Sequence, residues 1–201
     1  LTPTYLHRAK KVILTDPSSK LLKIARASFP QKKVSFIHSG IEGLNTKLKP
    51  HSVNLAIMVR VIHHMEDAGE AIDTVCGLLK KRGYFILEFP NKKHFKAVVK
   101  EFFKGNLTFP LDIFPEDKRS AKSIRRETIP FFNFHPELIK EKLAECGFKI
   151  IELRSVSNIR SAILKKILPL NVLLNVSETF QRPLARINFG PSIFLLAQKK
   201  G

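Results

Sequence analysis

Short apolar runs alternate with helix-spaced apolar patterns along most of this chain, and that alternation constrains the fold more than any other feature. Strands are predicted at residues 11–16, 33–38, 53–61, 84–89, 148–156 and 193–198, and helices at 18–29, 67–81, 93–103 and 135–146. Strands that alternate with helices are joined by right-handed crossovers into a parallel sheet covered on both faces. The pattern therefore predicts an α/β, doubly wound fold.

The length of 201 residues is typical of one domain with a substantial core. We expect a single domain over residues 1–201. Within it, a polar, proline-containing insertion at residues 105–134 and a helical segment at residues 157–189 would act as caps. The sequence contains no run of about 18 apolar residues, so no membrane-spanning helix is predicted.

The charge is strongly basic, with 35 Lys and Arg against 17 Asp and Glu, a formal net charge of +18. Such a balance favours nucleic acid, an anionic membrane surface or acidic ligands as neighbours. No RNA-binding signature accompanies the charge, so no specific nucleic-acid partner is expected.

The apolar segment 159–176, with its basic interruption, could contact an anionic membrane, cover an apolar substrate or simply pack as a helix. The two cysteines, Cys76 and Cys146, lack metal-ligand spacing, which favours reduced thiols and the cytoplasm, with the membrane surface as an open alternative.

The first predicted strand ends on Asp16, and this acid has two readings. At the carboxyl edge of an α/β sheet an acid commonly binds the ribose hydroxyls of a nucleotide. Alternatively, Asp16 could cap the helix that begins near Ser18. A glycine-rich turn about 20 residues upstream normally accompanies the ribose-binding acid. Only fifteen residues precede Asp16, and none is glycine.

Four segments, in order, resemble the class I S-adenosylmethionine-dependent methyltransferases. Asp16-Pro17-Ser18, followed by Leu22 and Ala25, resembles the segment after that family's second strand. Residues 34–44, 52–64 and 78–85 are similar to its third strand and adenine loop, its fourth strand and following turn, and its turn into the fifth strand. The resemblance covers roughly residues 5–90.

The resemblance implies a Rossmann-like, mostly parallel sheet with an antiparallel last strand, and S-adenosylmethionine as the cofactor. The residues that it places at the cofactor are Asp16, Pro17, Ser18, Gly40, Ile41, Glu42, Val59 and Arg60. Gly40 stands where many relatives have an Asp for the adenine, so backbone groups and Glu42 would take that task. It also implies that the family's first strand, helix and glycine-rich loop precede Leu1. The chain by itself is then expected to be an inactive, truncated enzyme.

Histidines supply the candidate catalytic residues: His63, His64 and His135. His63 and His64 follow the fourth strand of the resemblance, and because adjacent histidines diverge and lack a third ligand, no metal is predicted. His135 could act as a base or cap the helix that starts at Pro136. Asn91 and His94 follow the strand ending at Phe89 and are substrate candidates, although ordinary loop roles are equally open.

We therefore expect methyl transfer to a small molecule of lipidic or quinone-like character. The alternatives are a non-catalytic methyltransferase-like binding subunit and a less favoured NAD(P)-dependent reductase, which would also use Asp16 for a ribose. The sequence makes no prediction of the oligomeric state.

Overall fold

A computed structural model describes residues 2–30, 32–65, 67–159 and 166–201. The described helices are α1 (Thr2–Leu6), α2 (Ser19–Ser28), α3 (Leu44–Lys47), α4 (Ala68–Leu78), α5 (Phe95–Phe103), α6 (Ala121–Arg125), α7 (Pro136–Glu145) and α8 (Leu170–Arg186), with 3₁₀ turns at Ile62–His64 and Phe109–Leu111. The described strands are β1 (Val12–Asp16), β2 (Val34–His38), β3 (Val53–Met58), β4 (Leu79–Pro90), β5 (Glu116–Asp117), β6 (Phe132–Asn133), β7 (Phe148–Val156) and β8 (Ser192–Lys199). The chain divides into two compact units, residues 1–50 and residues 51–201.

The first unit is built on β1 and β2, which pair in parallel from Val12 opposite Val34 to Asp16 opposite His38. Between them lies α2, which begins after Ser18 because the Ser18 hydroxyl accepts a hydrogen bond from the backbone N–H of Leu21. The parallel register brings the ends of both strands to one edge, so the residues that follow β1 and β2 are neighbours.

The second unit contains a four-stranded sheet in the order β3-β4-β8-β7. β3 and β4 are parallel, whereas β8 runs antiparallel to both β4 and β7. The predicted mixed α/β fold, mostly parallel with an antiparallel last strand, is confirmed. A short β5–β6 pair lies inside the predicted insertion at 105–134. The single-domain boundary and the two predicted caps stay predictions.

Alternating side chains of β4 form the centre of the second unit's core. Phe85, Leu87 and Phe89 are essentially inaccessible to solvent, and their neighbours on β8 include the buried Ile193 and Leu195. A core of this kind holds the end of β4, and the polar residues on it, in a fixed position.

One predicted boundary, between a helix and the strand after it, was wrong. The helix expected at residues 67–81 ends at Leu78, and β4 begins at once because Leu79 already pairs with Val53. Lys80 and Lys81 lie in an exposed bulge that includes Arg82, a non-glycine residue with a positive φ of 61°. Because the bulge interrupts the alternation of a regular strand, the sequence pattern of residues 79–81 resembled a continuation of the helix.

Pro183 lies inside α8, although a proline within a helix usually interrupts it. A proline lacks only one backbone donor, and this one sits near the end of a long helix that packs on β7. Residues 160–165 of the predicted 157–189 segment lie outside the described residues. Among the described helices, none combines the length and apolar character needed to cross a membrane.

Candidate functional site

Asp16 ends β1 and uses one carboxylate oxygen locally. Its Oδ1 accepts a hydrogen bond from the backbone N–H of Ser18 at 2.7 Å, which fixes the turn into α2. Ser18, not Asp16, is the N-cap of that helix. The described residues offer no donor to Oδ2 of Asp16, and the side chain is partly exposed. One oxygen thus braces the turn while the other remains available to a hydroxyl donor.

The loop after β2 lies at the same edge. The backbone N–H of Ser39 donates to the carbonyl of Asp16 at 3.2 Å, which places the start of the loop beside β1. The carboxylate of Glu42 folds back over Gly40 and lies where a Cβ at that position would be. Ile41 is half-buried. The carbonyl of Pro17 is 2.8 Å from Nε2 of His38, the last residue of β2.

In the second unit, the chain turns sharply after β3 at Val59 and Arg60. Arg60 has a positive φ of 58°, an unfavourable conformation for a side chain with a Cβ. Its backbone N–H donates to Oε2 of Glu88 at 2.9 Å. Glu88 is a buried residue of β4, and its other oxygen accepts from the hydroxyl of Ser192. The strained turn is therefore held by a carboxylate on the neighbouring strand.

His63 and His64 form the 3₁₀ turn that follows, and they differ in exposure. His63 is buried against the ring of Phe131, with centroids 4.6 Å apart, and its Nδ1 has no hydrogen-bond partner among the described residues. Burial lowers the pKa of His63. The neighbouring His64 and Arg60 lower this pKa further, whereas Glu88 raises it. His64 is tied to the carbonyl of Pro130 through Nδ1 at 2.9 Å. A neutral His63 can accept a proton at a buried nitrogen, which is the chemistry expected of a base.

Asn91 is wholly buried, and its side chain fastens two loops together. Its amide nitrogen donates to the carbonyls of Asn188 and Gly190 at 2.7 and 2.8 Å, and its oxygen accepts from the N–H of Lys93 at 2.9 Å. Every polar atom of the side chain is engaged. These contacts give Asn91 a structural function, and nothing in them supports its predicted contact with substrate.

His94 and His135 are both N-caps. Nδ1 of His94 accepts from the N–H of Ala97 at 3.3 Å, and this residue also lines a cavity beside α5. Nδ1 of His135 accepts from the N–H of Glu137 at 3.2 Å, so the proton is on Nε2, 3.1 Å from the carbonyl of Pro110. Burial lowers the pKa of His135. With both nitrogens engaged, the capping alternative describes His135 and leaves it no free nitrogen for base catalysis.

Sequence reasoning missed Glu88. The available signal was a single acid between Leu87 and Phe89 in an otherwise apolar strand, since a buried carboxylate needs dedicated donors. Within the described residues, no three His, Cys, Asp or Glu side chains come together as metal ligands.

Comparison with known proteins gives one family match. Residues 1–87 match the model of a family described as "Methyltransferase domain". A curated relative, a demethylmenaquinone methyltransferase of Chlamydia pneumoniae, is 37% identical over 91 residues. That alignment covers 44% of this chain and 39% of the relative, so the chain spans about two fifths of the relative's length.

Solved structures extend the likeness to the fold. An S-adenosylmethionine-dependent methyltransferase of Methanosarcina mazei has a TM-score of 0.64 at 16% identity, with 100% of this chain and 87% of that one covered. The 1,6-didemethyltoxoflavin-N1-methyltransferase of Burkholderia thailandensis, solved with its substrate and S-adenosylhomocysteine, has a TM-score of 0.59 at 14% identity, covering 100% of this chain and 66% of its own. The predicted resemblance is therefore confirmed: residues 1–87 match a methyltransferase-domain family, and the fold is similar to that of solved S-adenosylmethionine-dependent methyltransferases.

Proposed function

We propose that the protein transfers a methyl group from S-adenosylmethionine to a small molecule of lipidic or quinone-like character. The family match over residues 1–87 supports methyl transfer. The name of the Chlamydia relative, a demethylmenaquinone methyltransferase, supports a quinone-like acceptor. We place this reaction in the cytoplasm.

The observation that carries the proposal is the free Oδ2 of Asp16 at the carboxyl edge of β1. A ribose presents two hydroxyl donors, and a carboxylate that accepts from them forms charge-assisted hydrogen bonds. Because Oδ1 already accepts a hydrogen bond from the backbone N–H of Ser18, Asp16 is held in one orientation before the cofactor binds. The bound S-adenosylhomocysteine of the Burkholderia enzyme supports the same choice of cofactor for this chain.

The remaining cofactor residues have supporting positions. Gly40 and Ile41 would present backbone groups to the adenine, with the Glu42 carboxylate beside them, and Pro17 and Ser18 would shape the turn at the ribose. In the second unit, Val59 and Arg60 stay predicted cofactor residues, and the backbone N–H of Arg60 is fixed by Glu88.

When bound, S-adenosylmethionine would supply a methyl group activated by its sulfonium, which the acceptor would take in an in-line displacement with S-adenosylhomocysteine as the leaving group. Such a displacement depends more on alignment and exclusion of water than on a strong acid or base. An acceptor hydroxyl or activated carbon must still lose a proton. Nδ1 of His63 is the buried, unpartnered nitrogen that could receive it, and we assign that step to His63 rather than to His64 or His135.

Asp16→Ala in the full-length protein tests the cofactor assignment. Loss of a charge-assisted bond of about 1.5–3 kcal/mol should weaken binding of S-adenosylmethionine roughly tenfold to a hundredfold. Asp16→Asn should do less harm because its oxygen can still accept. Glu42→Ala is the matched control at the same edge, and it should cost less because backbone groups share that contact.

Calorimetric titration with S-adenosylmethionine and a thermal melt of each variant separate the two functions of Asp16. If Asp16→Ala binds the cofactor like the parent and only melts earlier, Asp16 serves the turn alone and the cofactor assignment is wrong.

A further inference from the structure

Four large apolar side chains at the end of α5 and in the loop after it are exposed. The exposed fractions are 83% for Phe103, 66% for Leu107, 78% for Leu111 and 74% for Phe114. All four fall within residues 103–114, and α5 packs on the 3₁₀ turn that contains Leu111. Clustered apolar exposure of this kind marks a surface that contacts a protein, a ligand or a membrane.

The exposed loop is fixed from beneath by a buried cation. The ammonium of Lys92, 3% exposed, donates to the carbonyl of Asp112 at 3.0 Å, to its carboxylate at 2.7 Å and to the carbonyl of Phe114 at 2.7 Å. The ring of Phe109 lies 5.6 Å from the same nitrogen. All three donors of Lys92 are therefore spent on holding the loop in this shape. The exposure of Leu111 and Phe114 belongs to an ordered conformation.

A basic cavity adjoins the apolar loop. Its volume is about 310 Å³, and it shares Phe109 with the 3₁₀ turn. Lys96 and Lys100 line it from one face of α5, Lys104 lines it from the position that follows the helix, and Lys118 also lines it.

The charge of this cavity remains positive after internal pairing. Lys104 pairs with Glu101 and Lys118 with Glu116. Among the described residues, neither Lys96 nor Lys100 forms a salt bridge. Two cations remain beside an exposed apolar loop, and the cavity is large enough for a phosphate-bearing headgroup.

We propose that this docking surface, formed by Phe103, Leu107, Leu111 and Phe114 with Lys96 and Lys100, binds the face of an anionic lipid bilayer. The apolar side chains enter the boundary between headgroups and acyl chains, and the lysines contact lipid phosphates. The net charge of +18 complements an anionic bilayer and opposes a second copy of this chain as the occupant. The phosphates of a nucleic acid could also pair with the two lysines. A nucleic acid would, however, leave the four apolar side chains in contact with water. The surface is distinct from the predicted 157–189 segment and does not depend on the proposed methyl transfer.

Sedimentation with vesicles tests the proposal. The parent protein should bind vesicles of mixed phosphatidylglycerol and phosphatidylcholine, and bind vesicles of phosphatidylcholine alone far more weakly. The double variant Leu111→Ser, Phe114→Ser should lose roughly tenfold or more of the binding, because two large apolar groups no longer leave water. Lys96→Glu with Lys100→Glu should lose the preference for the anionic vesicles.

Ile187→Ser is the matched control, since Ile187 is an equally exposed apolar residue elsewhere in the second unit, at 67%. It should sediment like the parent, and all variants should melt at the parent's temperature because every altered side chain is exposed. The proposal is overturned if the parent stays in the supernatant, if the double variant binds like the parent, or if Ile187→Ser loses as much binding. It is also overturned if the parent is a dimer that the double variant dissociates.

Discussion

The backbone N–H of Arg60 and the buried carboxylate of Glu88 are joined by a 2.9 Å hydrogen bond across two neighbouring parallel strands. Arg60 is in the left-handed region, so its turn is costly by itself and depends on this acceptor. Glu88 also accepts from Ser192 on β8. One side chain thereby connects β3, β4 and β8 at one end of the four-stranded sheet.

Glu88→Ala should lower the free energy of unfolding by about 1–3 kcal/mol for each of the two donors left without an acceptor. Glu88→Gln, which keeps one acceptor oxygen, should lose less. Urea denaturation measures both. Glu137→Ala is the control, because Glu137 is an exposed acid whose ion pair with Lys140 lies on the surface. Equal losses for Glu88→Ala and Glu137→Ala would show that the turn at Arg60 does not depend on this carboxylate.

His135 should make the protein less stable at mildly acidic pH. Burial lowers the pKa of His135 in the folded state, and nearby Lys93 and Lys92 also lower it, against the effects of Pro110 and Glu137. The unfolded chain therefore binds more protons below about pH 6.5, and stability falls as the pH drops through that window. His63 contributes in the same direction.

His135→Asn keeps an N-cap acceptor and removes the titrating group. The loss of unfolding free energy between about pH 7.5 and pH 5.5 should thus be smaller in this variant than in the parent. Paired urea titrations at the two pH values measure it, with His7→Gln as a control at an exposed histidine. An unchanged pH dependence in His135→Asn would contradict the assignment.

Cys146 should resist alkylation. Burial raises the pKa of its thiol to about 12, and Asp73, which accepts from Sγ at 2.8 Å, raises it as well. Because the thiolate is the reactive form, iodoacetamide should label Cys146 roughly a hundredfold more slowly than a free cysteine.

Mass spectrometry in a Cys76→Ser background isolates the Cys146 reaction, and Asp73→Ala should accelerate it. Labelling of Cys146 at the rate of free cysteine would show that the thiol is not held in its neutral form.

Nucleic acid should bind weakly and without sequence preference, despite the net charge of +18. Such binding arises from released counterions, so it should fall steeply as salt increases. Fluorescence anisotropy with labelled RNA and DNA of unrelated sequences would measure it. A tight complex with one sequence would argue against a small-molecule acceptor.

Local patterns predicted the elements that depend on nearby residues. The helix predicted at 135–146 is α7: Pro136 is its first residue, and Gly147 after its end has the positive φ of 73° that a helix end of this type uses. Ser18 gave the start of α2 in the same way. In each case the deciding contact lies within four residues, so the sequence window contained it.

The contacts that define the candidate site were beyond such a window. The bond from Arg60 to Glu88 spans 28 residues, and those from Asn91 to Asn188 and Gly190 span almost a hundred. They depend on strand register and loop placement, which no local pattern encodes. Asn91 was therefore predicted either at the substrate or in an ordinary loop role, and its observed contacts are with two loops.

The position of β8 between β4 and β7 determines when the second unit can complete its fold. Residues 192–199 leave the ribosome after both of their partners, and β4 precedes them by about a hundred residues. Until then, β4 and β7 each have an unpaired edge in a growing chain, which is a hazard for aggregation. The sheet should thus close late in synthesis, and a nascent chain stalled before Ser192 should depend on chaperones that the finished one no longer needs.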